Sequence, residues 1–199
     1  MENHSSQIQD FARQKGIFKA REIEALGIPR QTISRLVNRG ELLSVGRGVF
    51  IHPDYDYGEY FDFARVAMMA PKCVICLFSA LRFHEMTTES TSEIWLAHAR
   101  GDRPPKIDEP QVTMVTFSKQ HISLSIEEYT IDGAPVKITS AVKTVVDCFR
   151  YRNKIGLNIA LDALRAYLQR PDFDVDELWR VASMCQMSAV MRPYLEAMA

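Results

Sequence analysis

The stretch Pro29-Arg30-Gln31-Thr32-Ile33-Ser34-Arg35-Leu36-Val37-Asn38-Arg39-Gly40 and, shortly after it, Val45-Gly46-Arg47-Gly48-Val49-Phe50-Ile51 decide the fold of this chain. In the first, Ile33, Leu36 and Val37 recur at helical spacing and define one apolar face. Gln31, Ser34, Arg35 and Asn38 turn to the opposite side, with Thr32 and Arg39 on the flanks. Pro29 presets the helical φ of the first turn, and Gly40 is placed to stop the helix in a left-handed cap. Leading into the second, Leu43 and Val45 alternate with polar neighbours; within it Gly46-Arg47-Gly48 makes a tight turn, and Val49 and Ile51 alternate again. Upstream, a short helix over residues 20–26 turns Ala20, Ile23 and Leu26 inward, and Gly27 supplies a turn with positive φ.

Helix, turn, helix and hairpin in this order predict a winged helix-turn-helix. The outward side chains of its second helix are the kind that read base edges or hold phosphates. The candidate DNA-contacting residues are therefore Arg30, Gln31, Thr32, Ser34, Arg35, Asn38 and Arg39, with Arg47 at the hairpin tip. A guanidinium lifted there can enter a minor groove or meet a phosphate.

Charge distribution agrees. The 199 residues carry a net charge of −1, but residues 1–52 hold 8 Lys and Arg against 5 Asp and Glu, and the remainder 16 against 20. A mildly basic head on an acidic body suits a protein that touches DNA with one end. The length and a hydrophobic fraction of 47% suffice for two packed domains. No apolar run reaches the length of a membrane span. The N-terminus lacks the basic start and apolar run of a signal peptide. Cys73, Cys76, Cys148 and Cys185 sit among apolar neighbours, as in a reduced, cytoplasmic protein.

Beyond the wing, the expected elements are a linker over residues 54–58, helices over 58–69 and 79–85, strands over 93–97 and 112–117, and a mobile loop over 99–110. A hairpin follows, with strands over 125–131 and 136–138 joined across Asp132-Gly133. The chain closes with helices over 141–152, 156–169, 174–184 and 187–198. The fold class is α+β: an N-terminal winged helix-turn-helix over residues 1–56, then a mixed α/β domain over 57–199.

Enzyme chemistry finds little support. Cys73-Val74-Ile75-Cys76 has metal-ligand spacing, but no second pair completes four ligands, so no metal or other cofactor is expected. The five histidines show no paired spacing. No Gly-x-Ser-x-Gly elbow and no phosphate loop appear. No Asp-x-Lys or Glu-x-Lys occurs, which a metal-dependent nuclease of the restriction type would need. The chain reads as a non-enzyme.

Three segments together resemble the AbiEi family of antitoxins and transcriptional regulators from bacterial abortive-infection toxin–antitoxin systems. They are the head residues quoted above, Leu77-Phe78-Ser79-Ala80-Leu81-Arg82-Phe83-His84-Glu85-Met86-Thr87-Thr88, and Ile138-Thr139-Ser140-Ala141-Val142-Lys143-Thr144-Val145-Val146-Asp147-Cys148. One departure is Pro29, where relatives often carry a Ser or Thr cap. The resemblance implies a two-domain antitoxin of a type IV toxin–antitoxin system. Its winged helix binds double-stranded DNA at the operon's own promoter and represses it. Its second domain opposes a nucleotidyltransferase-like toxin without a stable complex. A solitary winged-helix regulator, or a protein-interaction module with no toxin partner, is the alternative.

The residues of the third segment have two readings. Thr139 or Ser140 caps a helix start, Lys143 and Asp147 pair at i and i+4, and Val142, Val145 and Val146 pack inward. Alternatively, Thr139, Ser140, Lys143 and Asp147 form a surface for toxin neutralisation.

Overall fold

The computed structural model describes residues 2–89 and 91–198. Met1, Ser90 and Ala199, which the expected domain ranges include, lie outside them. The chain divides into two compact units that are discontinuous in sequence. The first comprises Met1–Lys72, Pro105–Gln111 and Glu128–Val136, and the second Cys73–Pro104, Val112–Glu127 and Lys137–Ala199. The division therefore falls later than the expected boundary at residue 56, and two later segments return to the first unit.

The first unit opens with α1 (Glu2–Lys15), β1 (Phe18–Lys19), α2 (Ala20–Ala25) and α3 (Arg30–Asn38). β2 (Leu43–Gly46), β3 (Val49–Ile51) and α4 (Phe61–Met69) follow. The two-residue β1 was not legible in the sequence, yet it completes a three-stranded sheet of order β1-β3-β2. Its core joins Ile8 and Ala12 of α1, Phe18, Ile23, Ile28, and Ile33 and Leu36 of α3. Phe18 meets Phe11 edge-on, with ring centroids 5.5 Å apart, a geometry the ring quadrupoles favour. Leu26 departs from expectation. It is 57% exposed, because α2 ends at Ala25 and Ile28 takes the inward place.

The second unit contains β4 (Val74–Ile75), α5 (Leu77–Phe83), β5 (Ile94–Ala99) and β6 (Val112–Phe117). β7 (Ile126–Ile131) and β8 (Ala134–Thr139) form a hairpin whose turn end belongs to the first unit. The helices α6 (Ala141–Arg150), α7 (Arg152–Ile155), α8 (Leu157–Leu168), α9 (Val175–Met184) and α10 (Ser188–Met198) close the chain. The expected helix over 141–152 is thus two helices that meet at Tyr151. The strands form a five-stranded sheet of order β6-β5-β4-β8-β7.

β5 and β6 are consecutive but parallel, in register from Ile94 opposite Val112 to Ala99 opposite Phe117. Parallel pairing obliges the chain to travel back the length of a strand, roughly 20 Å for six residues, before it can pair again. The stretch between them makes that return and carries Pro105–Gln111 into the first unit. A loop that reads as mobile from its composition is therefore a crossover with a packing role.

α6 is the centre of the second unit. It packs against α5, α8 and α9, and every residue from Ala141 to Phe149 is buried. Asp174 caps α9, accepting from the N–H groups of Asp176 at 2.9 Å and Glu177 at 3.0 Å.

Candidate nucleic-acid interface

The two faces of α3 separate cleanly. Ile33 and Leu36 are buried against α1 and α2, and Val37 is half-buried. Arg30, Gln31, Ser34, Arg35, Asn38 and Arg39 are all exposed. Thr32 is the correction in this set: at 3% exposure it belongs to the buried face and is out of reach of a base edge. Its hydroxyl instead accepts a hydrogen bond from the Arg35 guanidinium at 3.4 Å, which lays that side chain along the helix.

The start of α3 has the electrostatics of an anion site. Pro29 occupies the cap position with extended backbone (φ −62°, ψ 137°), no side chain caps the helix, and its first turn carries no acidic residue. The leading N–H groups are left without a side-chain acceptor, at the end where the helix dipole favours negative charge. Of these, the Thr32 N–H already donates to the Pro29 carbonyl at 2.9 Å, so the departure at Pro29 leaves the Arg30 and Gln31 amides to meet a phosphate. At the other end, Arg39 meets Glu41 at 3.9 Å, and Glu41 also accepts from Gln9 of α1 at 2.8 Å. An exposed pair of this kind is worth little, so Arg39 can exchange Glu41 for another anion at small cost.

The wing follows. β2 and β3 pair antiparallel, with an irregularity between Ser44 and Gly46. Arg47 and Gly48 form the turn, Gly48 takes φ +69°, and Arg47 stands exposed at the tip. Regular alternation fails on β2, where Leu43 is 46% exposed rather than inward. The strand is held from its other side: Arg65 of α4 donates from Nε to the Val45 carbonyl at 2.7 Å and pairs with Asp62 at 2.7 Å. Gly46 lies against Met69, where a Cβ would come within 2.7 Å of the sulfur. The wing is thus backed by a helix, and its tip is exposed.

The residues proposed as a toxin-facing surface are not a surface. Thr139, Ser140, Lys143 and Asp147 are exposed by 0%, 7%, 0% and 1%. Ser140 caps α6 by accepting from the Lys143 N–H at 3.2 Å. Thr144 donates to the Ser140 carbonyl at 2.8 Å. The Lys143 ammonium bonds both oxygens of Asp147 and lies 4.6 Å from the centre of the Phe117 ring. Burial pushes the Asp147 carboxyl above its usual value, and Lys143 offsets only part of that rise. The segment around His84 joins this interior. His84 is buried and bonds the Thr139 carbonyl at 2.7 Å, so its Nε2 carries the proton. Arg170 donates to the His84 carbonyl at 2.8 Å, and Ser79 accepts the Trp95 N–H at 2.9 Å. His84 and Thr139 thus join the two motif-bearing segments of the second unit through a buried polar contact at the start of α6.

Among the described residues no group of His, Cys, Asp and Glu is placed to hold a metal ion. Burial raises the Cys73 thiol to about 11 and lifts the Cys76 thiol well above its usual value, so neither is a ready thiolate at neutral pH. No helix among the described residues is long and apolar enough to cross a membrane.

The element order α1-β1-α2-α3-β2-β3, with an exposed polar helix face followed by a hairpin with a basic tip, defines a winged helix-turn-helix at the head of an α+β protein. Residues 6–51 match the family model described as "Transcriptional regulator, AbiEi antitoxin". The match covers the head and ends with the wing. The crystal structure of the RV2827C protein from Mycobacterium tuberculosis is similar in fold, with a TM-score of 0.62 over 91% of this chain and 71% of that one. At 11% identity, that likeness concerns the fold alone. No curated protein matches the chain.

Proposed function

We propose that the chain is a sequence-specific DNA-binding repressor of its own promoter and the antitoxin of a type IV toxin–antitoxin pair, acting in the cytoplasm without enzymatic activity or cofactor. The observation that carries the DNA reading is the exposed face of α3. Arg30, Gln31, Ser34, Arg35 and Asn38 stand exposed on a helix with no N-terminal side-chain cap, and the wing that follows it in the chain carries Arg47 exposed at its tip. The family match over residues 6–51 supports the regulatory role. The burial of Thr139, Ser140, Lys143 and Asp147 favours an antitoxin that opposes a nucleotidyltransferase-like toxin by other means than docking through these side chains.

The test is a pair of anisotropy titrations, on the duplex upstream of the chain's own gene and on random DNA. Arg35→Ala should cost about 1–3 kcal/mol on the upstream site, the worth of a bidentate base contact, and less on random DNA. Equal losses would reduce Arg35 to a phosphate contact. Equal wild-type affinity for the two duplexes would remove sequence reading altogether.

A further inference from the structure

One basic side chain from far along the chain lies beside the wing. Ser44–Arg47 on one side, Arg65 and Met69 of α4, and Lys106–Glu109 line a common recess of about 500 Å³ within the first unit. Arg65 is already committed there, bonded to the Val45 carbonyl and to Asp62, so its charge is largely spent on holding β2. Arg47 and Lys106 are the exposed cations of the recess. The crossover between β5 and β6 places Lys106 beside the wing. No local pattern around residues 29–51 contains it.

We infer that Lys106 is a second phosphate-contacting cation of the DNA interface, working beside Arg47 so that wing and crossover grip the duplex backbone together. The inference rests on the DNA-binding reading of α3 and the wing. A hairpin tip with one arginine can neutralise one phosphate. A second ammonium on the same recess adds a second, and on a polyanion each neutralised phosphate releases condensed counterions. Lysine suits the role, being a compact point charge on a flexible stem that meets phosphate without demanding a fixed planar geometry. Backbone contacts of this kind set register and orientation and carry no base information. The inference therefore assigns Lys106 to affinity and α3 to specificity. Asp108 and Glu109 line the same recess and oppose the duplex. They hold back sequence-independent affinity where the two cations promote it.

The experiment uses the full chain and a random-sequence duplex of about 30 base pairs, titrated by anisotropy between roughly 50 and 200 mM salt. Lys106→Gln and Arg47→Gln should each flatten the plot of log K against log salt by about 0.9, with a loss of about fivefold to tenfold at 0.1 M salt, and the double variant by about twice that slope. Asp108→Asn with Glu109→Gln should tighten binding. On the chain's own upstream duplex, Lys106→Gln should lose the same factor, leaving the ratio of specific to random affinity unchanged. Thermal unfolding at the wild-type temperature establishes that each variant is folded. If the wild-type slope falls with Arg47→Gln but not with Lys106→Gln, the crossover points away from DNA and the inference is overturned while the reading of the head stands. If the wild-type chain binds neither duplex, the parent reading fails and this one with it.

Discussion

Gly133 and Gly16 meet where the turn of the β7–β8 hairpin rests on the end of α1. Asp132 and Gly133 form that turn with φ of +47° and +80°, the two positive values a tight two-residue hairpin requires. The Asp132 carbonyl accepts the Ile17 N–H at 2.9 Å, and its carboxylate accepts the Gly58 N–H at 3.1 Å. A Cβ on Gly133 would stand 1.8 Å from the Lys15 carbonyl oxygen. That obstacle is backbone and cannot swing aside as a side chain would. Gly133→Ala therefore combines strain at positive φ with a steric clash and should destabilise the chain by about 2–4 kcal/mol. Urea unfolding measures it, and a loss of only a few tenths would mean the turn is not seated on α1. Asp132-Gly133 was legible as a turn because the signal lies in two adjacent residues. Its seat on Lys15 and Gly16 was not, since that contact joins residues far apart in the chain. Thr32 shows the same limit on a smaller scale. Helical spacing placed it on the border of two faces, and only the packing of α3 on α1 and α2 decided which face it joined.

Among the elements, α6 is where pattern and packing diverge most. Val142, Val145 and Val146 lie inward, as their helical spacing predicts, and Lys143 pairs with Asp147 one turn away. What spacing could not reveal is that α6 has no outward face from Ala141 to Phe149, since helices pack on it and Phe117 of β6 lies against Lys143. A lysine and an aspartate at i and i+4 look alike in sequence whether they meet in water or in a core. In a core the pair is bound by a different balance. Each charge has lost its hydration, and the partner restores only part of that cost. Removing one member leaves the other buried and unpaired. Lys143→Met and Asp147→Leu should each cost about 3–5 kcal/mol, while the double variant should recover most of that loss. Chemical denaturation of the three variants gives the coupling directly. Single losses below about 1 kcal/mol would show that water reaches the pair. Because the pair is interior, a stable double variant should leave toxin protection intact.

At the scale of the whole molecule, the order of elements was largely legible and their grouping was not. Helices and strands declare themselves through local periodicity. Membership of a compact unit depends on where the chain returns, and here it returns twice, through the β5–β6 crossover and through the β7–β8 turn. α4 shows the consequence. The expected boundary at residue 56 assigns it to the second domain, yet it packs on β2 and β3 and its Arg65 holds the Val45 carbonyl. A fragment of residues 57–199 keeps α4 but loses both strands. It also keeps Pro105–Gln111 and Glu128–Val136 without the rest of their unit. Phe61, Phe63, Val66 and Met68 are buried in the full chain. Side chains of this kind are worth about 1.5–3 kcal/mol each when fully covered, so uncovering part of that face is a large fraction of a typical stability. The fragment should bind a hydrophobic dye and unfold at lower temperature, with a broadened transition. The full chain carrying Gln31→Ala, Arg35→Ala and Arg47→Ala alters exposed positions only. It should melt within a few degrees of the wild type while losing DNA binding, which makes it the sound way to silence the head and ask whether protection from a toxin survives. Calorimetry and dye fluorescence on both proteins decide the matter. A fragment that melts sharply at the wild-type temperature and stays dark with the dye would return α4 and the two later segments to the second unit.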